Sequence, residues 1–100
     1  MTPAELHARN EMDQEILYYT REMQSRAPVT AESITGFLTG ARRRKVSARE
    51  TQDRIDYLVS AGYLVAIKEW QGGEFTHYRI TAAGMDLLDG AIPPRGWAPK

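Results

Sequence analysis

Arg42, Arg43, Arg44, Lys45 and Arg49 fall in one short stretch that contains no carboxylate. Cations clustered this way suit phosphate, because each contact releases condensed counterions, which supplies affinity and makes it salt-dependent. The competing role for such a run is a solvated loop that resists aggregation. The residues just beyond suit base edges: Arg49 can pair with guanine and Gln52 with adenine in a major groove. Ser47 and Thr51 can reach phosphate, or serve as helix cap and core. Asp53 belongs to the same candidate face, although carboxylates repel phosphates. Glu50 has the same drawback unless a cap engages it. Arg49, Gln52 and Asp53 could equally form only a solvated face. Farther along, Lys68, His77 and Arg79 are usable donors. Glu69 and Glu74 bracket the tip between them, which makes that tip a poor phosphate binder. Trp70, Phe75 and Trp97 are candidates for a protein contact, where aromatics are enriched. Trp70 and Phe75 could instead stack across a hairpin.

Other chemistries find little footing. The chain has no cysteine, so disulfides and thiolate catalysis are excluded. His7 and His77 lie far apart without a spaced carboxylate beside them, so no metal site is expected. Asp86 and Asp89 lie one helical turn apart, a spacing that more often marks a solvated face. Gly72-Gly73 sits in a turn signal and not between a strand and a helix, which removes a phosphate loop. No serine has a base nearby. Neither catalytic residues nor a cofactor are expected. The net charge is zero, which argues against an indiscriminate nucleic-acid binder. Yet the charge is uneven, since the first 26 residues lean acidic. No apolar run approaches the roughly 20 residues that span a bilayer. Met1 to Asn10 lack the apolar stretch of a signal peptide. These features predict a soluble, cytoplasmic protein without a membrane partner.

The elements that must position these groups follow from periodicity. With 100 residues, 42% of them apolar, the chain is the size of one domain. Met12, Ile16, Tyr19 and Met23 recur at helical spacing and predict a first helix over about residues 3–26. Pro3 suits its first turn, and Pro28 turns the residue before it away from helix. Leu17 and Tyr18 lie off the stripe. They suggest either a homodimer through this helix or cover for a hairpin. Thr30 can cap a second helix over about 31–39, with Ile34, Phe37 and Leu38 inward and Gly40 as its stop. The basic stretch follows as a loop. Ser47-Ala48-Arg49-Glu50 is a capping box that opens a third helix over about 48–61. Thr51, Ile55, Leu58 and Val59 face inward there, and Gly62 ends the helix. The β-formers from Tyr63 to Trp70, the turn Gln71-Gly72-Gly73-Glu74 and the return Phe75 to Ile80 predict a hairpin over about 63–80. Thr81 can cap a last helix over about 82–89, with Met85 and Leu88 inward and Gly90 as its stop. Ala91 to Lys100, with three prolines, reads as an extended tail.

Val46 to Leu64 brings a Ser cap, then Thr51, Ile55 and Leu58 at helical spacing, then Gly62 before a strand. This resembles the recognition helix and following strand of the winged helix-turn-helix superfamily. Tyr78-Arg79-Ile80-Thr81-Ala82-Ala83-Gly84 resembles that superfamily's exit from the wing. The likeness covers about residues 29–88. It implies an α+β fold of three helices, a two-stranded β-hairpin wing and a short C-terminal helix, with residues 1–90 as one domain. A narrower resemblance is to small winged-helix proteins of Mu-like bacteriophages, of unassigned function and encoded near DNA-packaging genes. They share this layout and end in a tail similar to Gly90-Ala91-Ile92-Pro93-Pro94-Arg95. The resemblances imply a non-enzymatic protein that binds double-stranded DNA, as a transcriptional regulator or a phage DNA-transaction accessory. The third helix would enter the major groove, with residues 42–45 on phosphates. The alternative is a winged-helix module that binds a phage or host protein through Trp70, Phe75 and Trp97 and does not bind DNA.

Overall fold

The structure, a computed structural model, describes residues 2–70 and 73–90. Helix α1 (Pro3–Met23) starts where the Thr2 hydroxyl accepts from the Glu5 N–H and Pro3 takes the first turn. It packs against every later helix and against the hairpin. An element surrounded on several sides buries more than one stripe. Leu17, expected off the core face, is fully buried with Ile16, and Tyr18 alone of the pair stays exposed. The helix stops at Met23, short of Arg26, and the Gln24 side chain turns to accept the Ile80 N–H at 2.9 Å. Just beyond, the Val29 carbonyl accepts the Tyr78 N–H at 2.8 Å. This single bridge lays the α1–α2 connection along the hairpin as the start of a third strand.

Helix α2 (Ala31–Gly36) is opened by a capping box between Thr30 and Ser33. It does not end at Gly40 as expected. It widens into a π-helical turn, Phe37–Ala41, which carries the chain past Gly40. Arg42 N–H then bonds the Phe37 carbonyl and Arg44 N–H the Leu38 carbonyl. The left-handed position that a helix stop needs falls on Arg43, at φ 53°.

Helix α3 (Ala48–Ser60) has the expected capping box, Ser47 with Glu50, and buries Thr51, Ile55 and Leu58. Gly62 ends it at φ 86°, a conformation glycine reaches without strain. Strands β1 (Leu64–Trp70) and β2 (Glu74–Ile80) pair antiparallel from Leu64 opposite Ile80 to Trp70 opposite Glu74. Leu64, Tyr78 and Ile80 face the helices and are buried. Glu69 opposes Phe75, so Phe75 and Trp70 fall on opposite faces of the hairpin and cannot stack on each other. Phe75 stacks on His77, with centroids 5.2 Å apart.

Helix α4 (Ala82–Asp89) is capped by Thr81 and closed by Gly90 at φ 81°. Its inward face is Gly84 and Leu87, and Leu88 is half-buried. Met85, expected inward, is 37% exposed. The phase of the helix is set by Gly84, which lies directly against the Tyr63 carbonyl. One core joins α1, α2 with its π-helical turn, α3, the hairpin and Leu87 of α4.

Candidate nucleic-acid interface

The four consecutive cations do not act alike. Arg44 folds back onto α1, where Nε donates to Glu15 Oε2 at 2.6 Å and Nη2 to Glu15 Oε1 at 2.9 Å. Glu11 adds a contact at 3.5 Å. The hydrogen bonds it donates to Glu15 hold the Arg44 guanidinium pKa above its ordinary value, against the opposing effect of burial. Arg44 is thus a bidentate anchor that ties the loop to α1, already committed before any phosphate arrives. Arg42 lies over the Phe37 ring at 5.4 Å from its centroid, a cation–π contact that leaves its charge outward. Arg42, Arg43 and Lys45 are exposed, and no carboxylate pairs with them among the described residues.

Arg43 sits in the left-handed region, which costs a non-glycine residue roughly 1–2 kcal/mol. Such outliers cluster where function holds them in place. Arg43→Gly is therefore expected to raise stability to urea denaturation by about 1 kcal/mol. An unchanged or lowered midpoint would show that the Arg43 side chain contributes to folding.

On α3, Ser47 and Thr51 serve the fold. The Ser47 hydroxyl accepts from Glu50 N–H at 3.0 Å, and the buried Thr51 donates to the Ser47 carbonyl at 3.1 Å. Glu50 reaches back to the Ser47 N–H at 3.4 Å, so its carboxylate is partly engaged by the cap. Gln52 is also occupied. Its Nε2 donates to Asp56 Oδ1 at 2.9 Å and to the Tyr78 hydroxyl at 3.3 Å, which points it toward the hairpin. Arg49 and Asp53 remain exposed.

Arg54 was not among the residues singled out from sequence. Its guanidinium grips Asp13 of α1, Nε to Oδ1 at 2.9 Å and Nη2 to Oδ2 at 2.6 Å, and Asp13 is fully buried. It also lies 4.5 Å from the centroid of the Tyr57 ring. Burial pulls the Arg54 pKa down, but the hydrogen bonds and charge of Asp13 outweigh it and leave it raised. Nothing local could have revealed this pair, because its members are distant in sequence. The acidic lean of the first helix is largely countercharge for Arg44 and Arg54.

The hairpin splits its donors. Lys68 stands on the face that carries Leu64 and Ile80 to the core, 3.9 Å from Glu74. Arg79 stands on the other face, opposite Val65. His77 Nε2 lies 3.4 Å from Glu69 Oε1 but is too poorly aligned for a hydrogen bond. Trp70 is 78% exposed at the end of β1. Phe75 is half-buried, and Trp97 lies outside the described residues. Among the described residues no cluster of His, Asp or Glu could hold a metal ion, and no helix is long and apolar enough to cross a membrane.

No protein-family model and no curated protein matches the chain. A solved structure does: PadR of Bacillus subtilis in complex with operator DNA, at 17% identity and a TM-score of 0.62. The alignment covers 83% of this chain and 48% of that one, so the chain spans about half the length of the PadR chain it matches. The fold is α+β and of the winged-helix type, with the β1–β2 hairpin between α3 and α4. The narrower resemblance to proteins of Mu-like bacteriophages rests on sequence alone.

Proposed function

We propose that the protein binds double-stranded DNA and acts without enzymatic chemistry, with α3 in the major groove. The observation that carries this reading is the group Arg42, Arg43 and Lys45, unpaired among the described residues and held just before the N-terminus of α3. Arg44 fixes that loop to α1, so the three free cations approach a duplex in a set arrangement. A protein of the same fold, PadR, has been captured on operator DNA, which supports a transcriptional role over other DNA transactions. The site consists of Arg42, Arg43 and Lys45 on phosphates and Arg49 and Asp53 at bases, with Arg79 or Lys68 touching the flanking backbone.

The test is duplex binding by fluorescence anisotropy across a salt series. Replacing both Arg42 and Arg43 by Ala removes two phosphate contacts. The slope of log K against log[salt] should fall in magnitude by about 1.8, since each phosphate contributes about 0.9. Affinity at low salt should drop by at least tenfold. An intact slope, or a parent chain that binds no duplex at low salt, defeats the proposal.

A second reading has one specific support. Trp70 is largely exposed and Val65 is 45% exposed, so the hairpin presents apolar surface on both faces. In this reading the hairpin docks a phage or host protein. A homodimer through α1 would rest on Tyr18, since Leu17 is buried.

A further inference from the structure

Arg49 and Asp53 are the two exposed charges on α3 that the fold leaves unspent. Gln52 and Asp56 hydrogen-bond each other, Glu50 serves the cap, and Arg54 is locked to Asp13. Neither Arg49 nor Asp53 has a hydrogen-bond or ion-pair partner among the described residues. Their placement also does nothing for the helix. Arg49 lies in the first turn, where the positive end of the helix dipole disfavours a cation. Asp53 is four positions later, and a cation preceding an anion is the weaker order for such a pair. A donor fork and an acceptor, one turn apart on one exposed ridge and unused by the fold, fit an external partner with the opposite pattern.

Resting on the DNA-binding reading above, we propose that Arg49 and Asp53 read a guanine and a cytosine one or two base pairs apart, so that the recognised site holds a G·C-containing core. Arginine meets the paired acceptors O6 and N7 of guanine. A carboxylate can only accept. Cytosine presents the N4 amino donor at its major-groove edge, whereas adenine sets the N7 acceptor beside its amino group, where it repels a carboxylate. Four residues of helix rise about 6 Å. That span falls between one and two steps of a duplex, each about 3.4 Å, so the two side chains reach bases one or two pairs apart. Gln52, the residue suited to adenine, is held by Asp56 and Tyr78 and takes no part.

The experiment selects a randomised duplex library with the full chain and with Arg49→Ala and Asp53→Ala, each checked for folding by circular dichroism. The parent should enrich duplexes with one guanine and one nearby cytosine position. Arg49→Ala should flatten the guanine preference by about five- to 150-fold. Asp53→Ala should flatten the cytosine preference by a similar factor. It should also bind unrelated duplexes at least as tightly, because a repulsive charge is gone. Total affinity alone would mislead here, and the position-by-position preference is the readout. A parent selection without G·C preference, or variants that enrich the same sequences as the parent, overturns the proposal while leaving DNA binding intact. A parent that retains no duplex overturns the functional reading as well.

Discussion

Arg54→Met is expected to cost about 3–5 kcal/mol of folding stability, a large fraction of the roughly 5–15 kcal/mol that holds an ordinary domain together. The size comes from Asp13. Its carboxylate is fully buried in α1, and Arg54 meets both of its oxygens. Methionine keeps an apolar side chain of similar length but takes both guanidinium hydrogen bonds away from a buried carboxylate. Removing one member of a buried pair is far costlier than the net worth of the pair, because the partner's desolvation is no longer offset. The double change Asp13→Asn with Arg54→Met should therefore recover a substantial part of the loss, since a neutral amide is less costly to bury. Urea denaturation followed by circular dichroism reads both. A single-variant loss below about 1 kcal/mol would show that Asp13 is solvated well enough without Arg54.

Gly84→Ala should destabilise the fold by about 3 kcal/mol. A Cβ at this position would clash with the Tyr63 carbonyl oxygen and lie 2.7 Å from Ile80 Cγ1. Carbonyl and helix cannot separate freely, because that same carbonyl accepts the Thr81 N–H at 3.1 Å. Thr81 also donates its hydroxyl to the Gly62 carbonyl and accepts the Gly84 N–H. The start of α4 is thus clamped to the exit of α3 at the point where glycine is required. Gly36→Ala is the control. Gly36 is helical, with nothing within 4 Å of an added Cβ, and should gain about 0.5–1 kcal/mol. Thermal or urea midpoints that move the two variants in the same direction would contradict the steric account.

What could be read in the sequence was whatever depended on neighbours along the chain. The capping box at Ser47, the left-handed Gly62 and Gly90 and the hairpin all follow from short spacings and local chemistry. Residues whose surroundings come from distant segments were misjudged. Leu17 looked peripheral on a single helical stripe and is core, because α1 is enclosed on several sides. Met85 looked inward, but a helix as short as α4 takes its rotation from one close contact at Gly84. The π-helical turn, which buries Leu38 and stacks Phe37 on Tyr19, is announced by no residue type. The candidate site was legible in composition and not in commitment. The basic run and the face of α3 were visible, but which cations are free depends on Glu15 and Asp13, far away in the chain. The bond from Gln52 to Tyr78 was equally hidden, because that partner is fixed only by strand register.

Tyr78 fastens the hairpin to the helical body three ways: its N–H to Val29, its hydroxyl to Gln52 and its ring in the core. Gln24 adds a fourth tether at Ile80. The base of the hairpin is therefore held to the helical body at Tyr78 and Ile80. The angle between α3 and the hairpin is set when the chain folds. A partner that needs both surfaces meets them already aligned, and the ordering entropy of that alignment is not charged against its affinity.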